Sequence, residues 1–405
     1  MRDLPALDLP IMGGIIFILV LTPLLRGAVD LASICLIAAV GLTCLFLFLL
    51  RLILKERPEI RLSGLEVPLL LLLLLGVVSS LFSLYPEQSW RETGFLFLCL
   101  SIFFIVQNLF SDQKRLYLLA LVIVASGICL SLFGLLRYAI SMGATPWKAA
   151  LSSTYVNHNH LAGYLELCLP LSLGMIGCVT DRGKRAILIY GIVLMGASLL
   201  LSLSRGGWLG GVLALFFMAF LTKRRGLLSK GMWITSIAIF IFLLAIFLGL
   251  NPIMERLSTF GQILRDPINF DTRIKVWKGT LLVIRDHPFL GTGMGTFAWA
   301  FPPHRPAGIP QRYLYAHNDF LHLTSELGIL FLPLSLWLIS SVLKMGITTF
   351  FKTGSRRKRG ISLGCSMGIL ALSIHSIFDF NLHIPANAIL FFTFLGMIGA
   401  VGKRG

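Results

Sequence analysis

Histidine and arginine stand beside amides in several short runs of this chain, and those runs suit proton transfer next to bound phosphate. The foremost is Leu314–Gly328, read Leu-Tyr-Ala-His-Asn-Asp-Phe-Leu-His-Leu-Thr-Ser-Glu-Leu-Gly, where a basic hydrophilic stretch gives way to a long apolar run. A neutral imidazole at that boundary, His317, accepts a proton near pH 7; an inert polar residue at a helix start is the plainer reading. Asn318 stands next to it. Arg205, in Leu-Ser-Leu-Ser-Arg-Gly-Gly-Trp, ends one apolar run. A guanidinium near hydrocarbon is costly unless paired, and its plainer reading is a snorkelling anchor. Arg273, with Lys278 nearby, is the third cation of interest. The planar fork of arginine matches a diphosphate through paired hydrogen bonds; a membrane-surface anchor is its alternative.

Asn157-His158-Asn159-His160 opens another apolar run and reads as a substrate hydrogen-bonding face. Its histidines are two apart and do not share a helix face. With no HExxH and no carboxylate cluster, no metal and no cofactor is expected. His322 and Glu326 lie one helical turn apart and are expected to pair locally. Glu166 lies within an apolar run, and His375, Asp379 and His383 cluster at the end of another. These last three either line a cavity or form a helix-end network.

The elements that must position these groups are membrane helices. The chain is 56% hydrophobic and only 13% charged, with a mean hydropathy of +0.86, against roughly 25% charged in soluble domains. Apolar runs near 20 residues read as spanning helices, and they lack the alternation of a barrel strand. The spacing predicts an all-α polytopic membrane protein of about twelve spans: 9–25, 31–50, 65–84, 94–110, 116–140, 161–179, 186–203, 207–222, 232–250, 319–348, 361–379 and 386–402. Residues 1–250 then hold spans one to nine, 251–318 a long outer loop, and 319–405 the last three. The first run lacks a cleavage site and is read as a retained span rather than a signal peptide.

The net charge of +17 does not signal nucleic acid, because 22 of the 35 Lys and Arg fall in alternate loops and at the termini. That asymmetry orients a membrane protein and puts those loops and both termini inside. The seven cysteines all fall within predicted spans and read as packing residues, not a disulfide framework. The loop 251–318 is the exception on the outer side, carrying eight Lys and Arg against four Asp and Glu. Topology does not require that excess; an anionic ligand would explain it. Within it, Ile274, Trp277, Leu281 and Ile284 share a face of a helix over 271–284, with Asp271 at its N-cap, lying along the membrane surface. Gly291, Gly293 and Gly295 do not make a dinucleotide-binding fingerprint.

Six stretches together, Asn157–Leu165, Leu203–Trp208, Asp271–Thr280, His287–Thr296, Ala316–Gly328 and His375–Pro385, resemble the O-antigen ligase and O-antigen polymerase family of bacterial membrane glycosyltransferases. The resemblance covers most of residues 150–390 and rests on the joint order of short motifs. It implies a helical fold of the lipid-dependent (GT-C-like) class in the inner membrane, with the active site on the periplasmic side. The implied donor is a polyprenyl-diphosphate-linked glycan. The implied acceptor is a glycan or a lipid-A-core-like sugar, or a protein hydroxyl. By position, Arg205 and Arg273 match the family's diphosphate-binding arginines and His317 its catalytic histidine. Asn157, His158, Asn159, His160, Lys278, Asn318, His322, Glu326 and His383 are assigned to substrate binding. His322 departs from the pattern, standing where relatives often have an amide. A solute transporter and a non-catalytic scaffold are the rival classes; no repeat symmetry favours the first. The enzymatic reading requires Arg205, Arg273 and His317 to meet across one lipid-accessible chamber.

Overall fold

A computed structural model describes residues 5–55, 59–141, 150–226, 268–309 and 313–402. Among them every regular element is helical. In chain order they are α1 (Pro5–Leu24), α2 (Leu31–Leu54), α3 (Glu66–Leu81), α4 (Pro86–Leu109), α5 (Gln113–Ser141), α6 (His158–Ile176), α7 (Arg182–Leu201), α8 (Arg205–Arg224), α9 (Ile268–Asp286), α10 (Phe297–Ala300), α11 (Asp319–Leu327), α12 (Phe331–Lys352), α13 (Arg356–His375) and α14 (Pro385–Val401). Short 3-10 turns cover Pro302–His304 and Asn381–His383. Seven of the helices, α1, α2, α4, α5, α7, α8 and α12, are long and apolar enough to cross a membrane, and α3 and α14 are shorter apolar helices. The chain is a polytopic helical membrane protein. The expected ninth span, 232–250, lies outside the described residues, as do loop residues 251–267 and Arg312.

Three expectations are corrected. The tenth span, drawn as one run over 319–348, is two helices: α11 stops at Gly328 and α12 starts at Phe331. Gly328 turns the chain at φ +82, and a Cβ there would lie 2.0 Å from the Phe289 carbonyl oxygen. Residues 86–93, read as loop, are the first turns of α4, begun by Pro86 in the first helical position. The surface helix starts at Ile268, so Asp271 is inside it and not its cap. Val276, Gly279, Thr280 and Val283 dock it on the protein, and Leu281, on the face expected to meet the membrane, is 52% exposed. The smallness of Gly279 selects the docked face: a Cβ there would lie 2.8 Å from both the His304 carbonyl and the Phe301 ring.

Helices α6 and α13 pack backbone against backbone. Gly360, Gly364 and Gly368 recur every fourth residue along one side of α13. A Cβ on Gly360 would lie 2.1 Å from the Gly174 carbonyl oxygen, and one on Gly364 2.6 Å from Leu171 Cα. Small residues at this spacing let membrane helices touch through their backbones. The contact brings the start of α6 beside the end of α13, where the polar residues gather. At the opposite end Asp8 pairs with Arg51 and, at 2.7 Å, with Arg115.

Candidate functional site

Four imidazole–carboxylate pairs meet at one end of the bundle. His317 is placed by its neighbours. Trp277 Nε1 donates to the Ala316 carbonyl at 3.0 Å, and the Ala316 N–H donates to His322 Nδ1 at 3.2 Å. Asn318 caps α11 by accepting the Leu321 N–H, and the Asp319 N–H donates to the Ser376 carbonyl at 2.8 Å. Held on both sides, His317 adopts φ 50, a left-handed conformation costly for a side chain with a Cβ. Its Nδ1 lies 3.4 Å from Asp379 Oδ1 and has no hydrogen bond of normal length among the described residues.

Asp379 is 1% exposed. Its Oδ2 accepts from Asn159 Nδ2 at 2.6 Å, and its Oδ1 accepts the Phe380 N–H at 2.9 Å. Burial pushes this carboxyl up, but the contact from His317 and the charges of His375, His317 and His160 outweigh it and hold it well below the usual carboxylate range. Arg273 Nη1 donates to the Phe378 carbonyl at 2.8 Å, one residue away from Asp379. Arg205 opens α8, after Leu203 in a left-handed turn (φ 55) and the N-cap Ser204. Ser204 Oγ lies 3.3 Å from His375 Nε2, a Cβ on Gly206 would meet the His375 ring at 2.5 Å, and His375 Nδ1 is 2.6 Å from Glu166 Oε2. The buried Glu166–His375–Ser204 chain thus fixes where Arg205 leaves the bundle. His317 and Arg273 share Phe378–Asp379, and Arg205 stands at His375, one turn earlier.

The other expected residues divide. Asn157 caps α6, accepting the Asn159 N–H at 2.9 Å. His158 is the first residue of that helix, and His160 is buried edge-on against Phe380, ring centroids 4.8 Å apart. Lys278 is exposed on the side of α9 away from its docked face. His322 and Glu326 pair at 3.1 Å, fully buried, with the Phe297 N–H also donating to Glu326 Oε1 at 3.0 Å. His383 Nδ1 lies 2.7 Å from Asp319 Oδ1. Asp319 Oδ2 accepts from Ser376 Oγ and the Leu382 N–H. Burial favours a neutral His383, but the bond to Asp319 and the charges of Asp319, Glu326 and Glu92 prevail and raise its pKa.

His322, Glu326 and His383 bring ligand-capable atoms within 4.8 Å of one another. Their hydrogen bonds give His322 another task. Its Nδ1 accepts the Ala316 N–H, so the ring proton sits on Nε2 and donates to Glu326. The atom that would face an ion already carries hydrogen, and the residue ties the Ala316 backbone to α11.

Two cavities of about 350 Å³ each open beside the cluster. Glu92, Tyr315, Glu326 and His383 line both, whereas Arg205, Arg273 and His317 line neither. A wall formed by Tyr315 stacked on Phe380, centroids 4.0 Å apart, stands between His383 and His317. The expectation that Arg205, Arg273 and His317 meet across one chamber is therefore not met by these two cavities: the three residues are brought to one end of the bundle, around His375 and Phe378–Asp379, and line neither cavity. Asp319, Glu92 and Ser204 did not stand out in the sequence. Asp319 looks like an ordinary acidic residue in a helix's first turn, and its partner is 64 positions away.

Residues 190–333 match the family model described as O-antigen ligase. That stretch carries Arg205, Arg273, His317, His322 and Glu326 and ends before Asp379 and His383. No curated protein matches the chain.

Proposed function

We propose that this membrane protein, which belongs through residues 190–333 to the O-antigen ligase family, is a glycosyltransferase moving a glycan from a polyprenyl-diphosphate carrier to an acceptor hydroxyl. The observation that carries the reading is the His317–Asp379 pair, 3.4 Å apart, with Arg273 bonded to the residue before Asp379. In this reading His317 takes the proton from a sugar hydroxyl. That oxygen bonds to the anomeric carbon as the carbon's bond to the carrier phosphate breaks, with inversion. The electron pair leaves on the diphosphate, and His317 later returns its proton to water. Asp379 steadies the imidazolium as it forms, as a buried carboxylate does behind other catalytic histidines.

Arg205 and Arg273 offset the charge that develops on the leaving diphosphate, in a region where water is scarce and such charges act strongly. Two fixed guanidinium groups supply this without a metal. The site then faces the periplasm, opposite the basic loops. The test is transfer by purified protein, given a lipid-diphosphate glycan and candidate acceptors. His317→Ala is expected to abolish transfer while still binding donor. Asp379→Asn is expected to slow turnover by roughly 10²–10⁴-fold, the range for losing general-base assistance. Near-normal turnover by purified His317→Ala would reject the base assignment.

A further inference from the structure

The cavity beside His383 differs chemically from the arginine side of the cluster. Its polar end presents carboxylates from two directions, Glu92 on α4 and Glu326 on α11, with Asp319 behind His383. Gln88 and Arg91 bond each other at the rim, where Arg91 is exposed. A diphosphate entering here would face the Glu92 and Glu326 carboxylates at the buried end, with Arg91 only at the exposed rim, an arrangement that disfavours it there. It does not disfavour a sugar hydroxyl. His383 Nε2 is buried and has no hydrogen-bond partner among the described residues. Its other nitrogen is committed to Asp319. In either protonation state Nε2 needs a partner, and a hydroxyl both donates and accepts.

Below the polar end the same cavity becomes an apolar groove between α4, α12 and α14, lined by Leu96, Cys99, Leu338, Ile339 and Phe391. From Glu92 to Cys99 the helix rise of ~1.5 Å per residue gives a depth of about 10 Å, the scale of one short hydrocarbon chain. We propose that this cavity is the acceptor site: an uncharged, hydroxyl-bearing sugar is held by His383 and Glu92, and the single lipid chain that carries it lies in the groove. This rests on the reading of the protein as a lipid-linked glycan transferase. It adds that donor and acceptor lie on opposite sides of the Tyr315–Phe380 stack, so the hydroxyl that reacts at His317 belongs to a ring beyond the anchored one.

The test uses the full chain in bilayer nanodiscs free of glycolipid, with a photoreactive octyl glucoside as probe. Labelling is expected on peptides of α4 and α12, suppressed by excess octyl glucoside but not by octyl phosphate of the same chain length. Glu92→Gln is expected to weaken labelling about tenfold, the worth of one hydrogen bond to a charged group. Leu338→Trp, which fills the groove, is expected to abolish it. Equal competition by octyl phosphate, or label elsewhere on the wild-type protein, would overturn the proposal without relying on any variant's folding. Labelling as expected in a protein that transfers no glycan would sink the transferase reading instead; transfer without labelling would sink the acceptor site alone.

Discussion

Asp379 stays charged where burial opposes charge, because three histidines and the Asn159 amide surround it. The sign of its effect on stability follows. Its folded pKa is depressed, so its contribution is present above the unfolded value of about 3.9 and is lost only as pH falls through the lower folded value. The stability gap between wild type and Asp379→Asn is therefore expected not to shrink from pH 7 to pH 5, a window in which imidazoles gain charge, and to narrow below about pH 4. Thermal unfolding in detergent across that range reads it. A gap that closed between pH 7 and pH 5 would mean burial outweighs the histidines. The sequence showed His317, Arg273 and the i,i+4 pair His322–Glu326 because local spacing and position mark them. It placed Asp379 and His383 in a helix-end cluster without saying which histidine each carboxylate serves. That choice depends on α6, α11 and α13 meeting, and no local pattern encodes it.

Helix boundaries explain why α11 is not legible in the sequence as a separate helix. Leu327 through Leu338 is almost unbroken apolar sequence, so hydropathy runs straight across Gly328. The break comes instead from the strap Pro288–Gly295, which bonds to the end of α11. Thr292 and Gly293 N–H donate to the Ser325 and Glu326 carbonyls at 3.0 Å, and the Ile329 N–H donates to the Pro288 carbonyl at 2.8 Å. Ser79 Oγ adds a bond to the Glu326 carbonyl at 2.7 Å. Gly291, unexplained as part of a nucleotide motif, serves this clamp: a Cβ there would lie 2.2 Å from the Glu326 backbone. Gly328→Ala is expected to cost ~1–3 kcal/mol for its left-handed backbone alone, with the clash against Phe289 in addition. Because α11 carries Asp319, His322 and Glu326, transfer should fall with thermal stability. An unchanged melting temperature would mean that the α11–α12 break is not fixed by this turn.

At the scale of the whole molecule two polar ends face away from each other. One gathers Asp8, Arg51, Arg115 and the basic starts of α7 and α13; the other gathers the imidazole–carboxylate pairs. Sequence charge alone revealed this division, because lysine and arginine asymmetry reports orientation without any tertiary contact. What it did not reveal is how the ends are drawn together laterally, which the glycine-lined α6–α13 contact does through backbone proximity. The division makes the side of the site testable apart from its chemistry. Phe289 is 76% exposed at the histidine end, and Arg182 is exposed at the start of α7 at the basic end. The seven native cysteines are free, four of them buried. In a background with them replaced, Phe289→Cys is expected to react with a membrane-impermeant maleimide on intact spheroplasts. Arg182→Cys is expected to react only after lysis. The reverse pattern would turn the imidazoles and arginines toward the cytoplasm, and a carrier-linked glycan displayed on the far leaflet would then have no route to them.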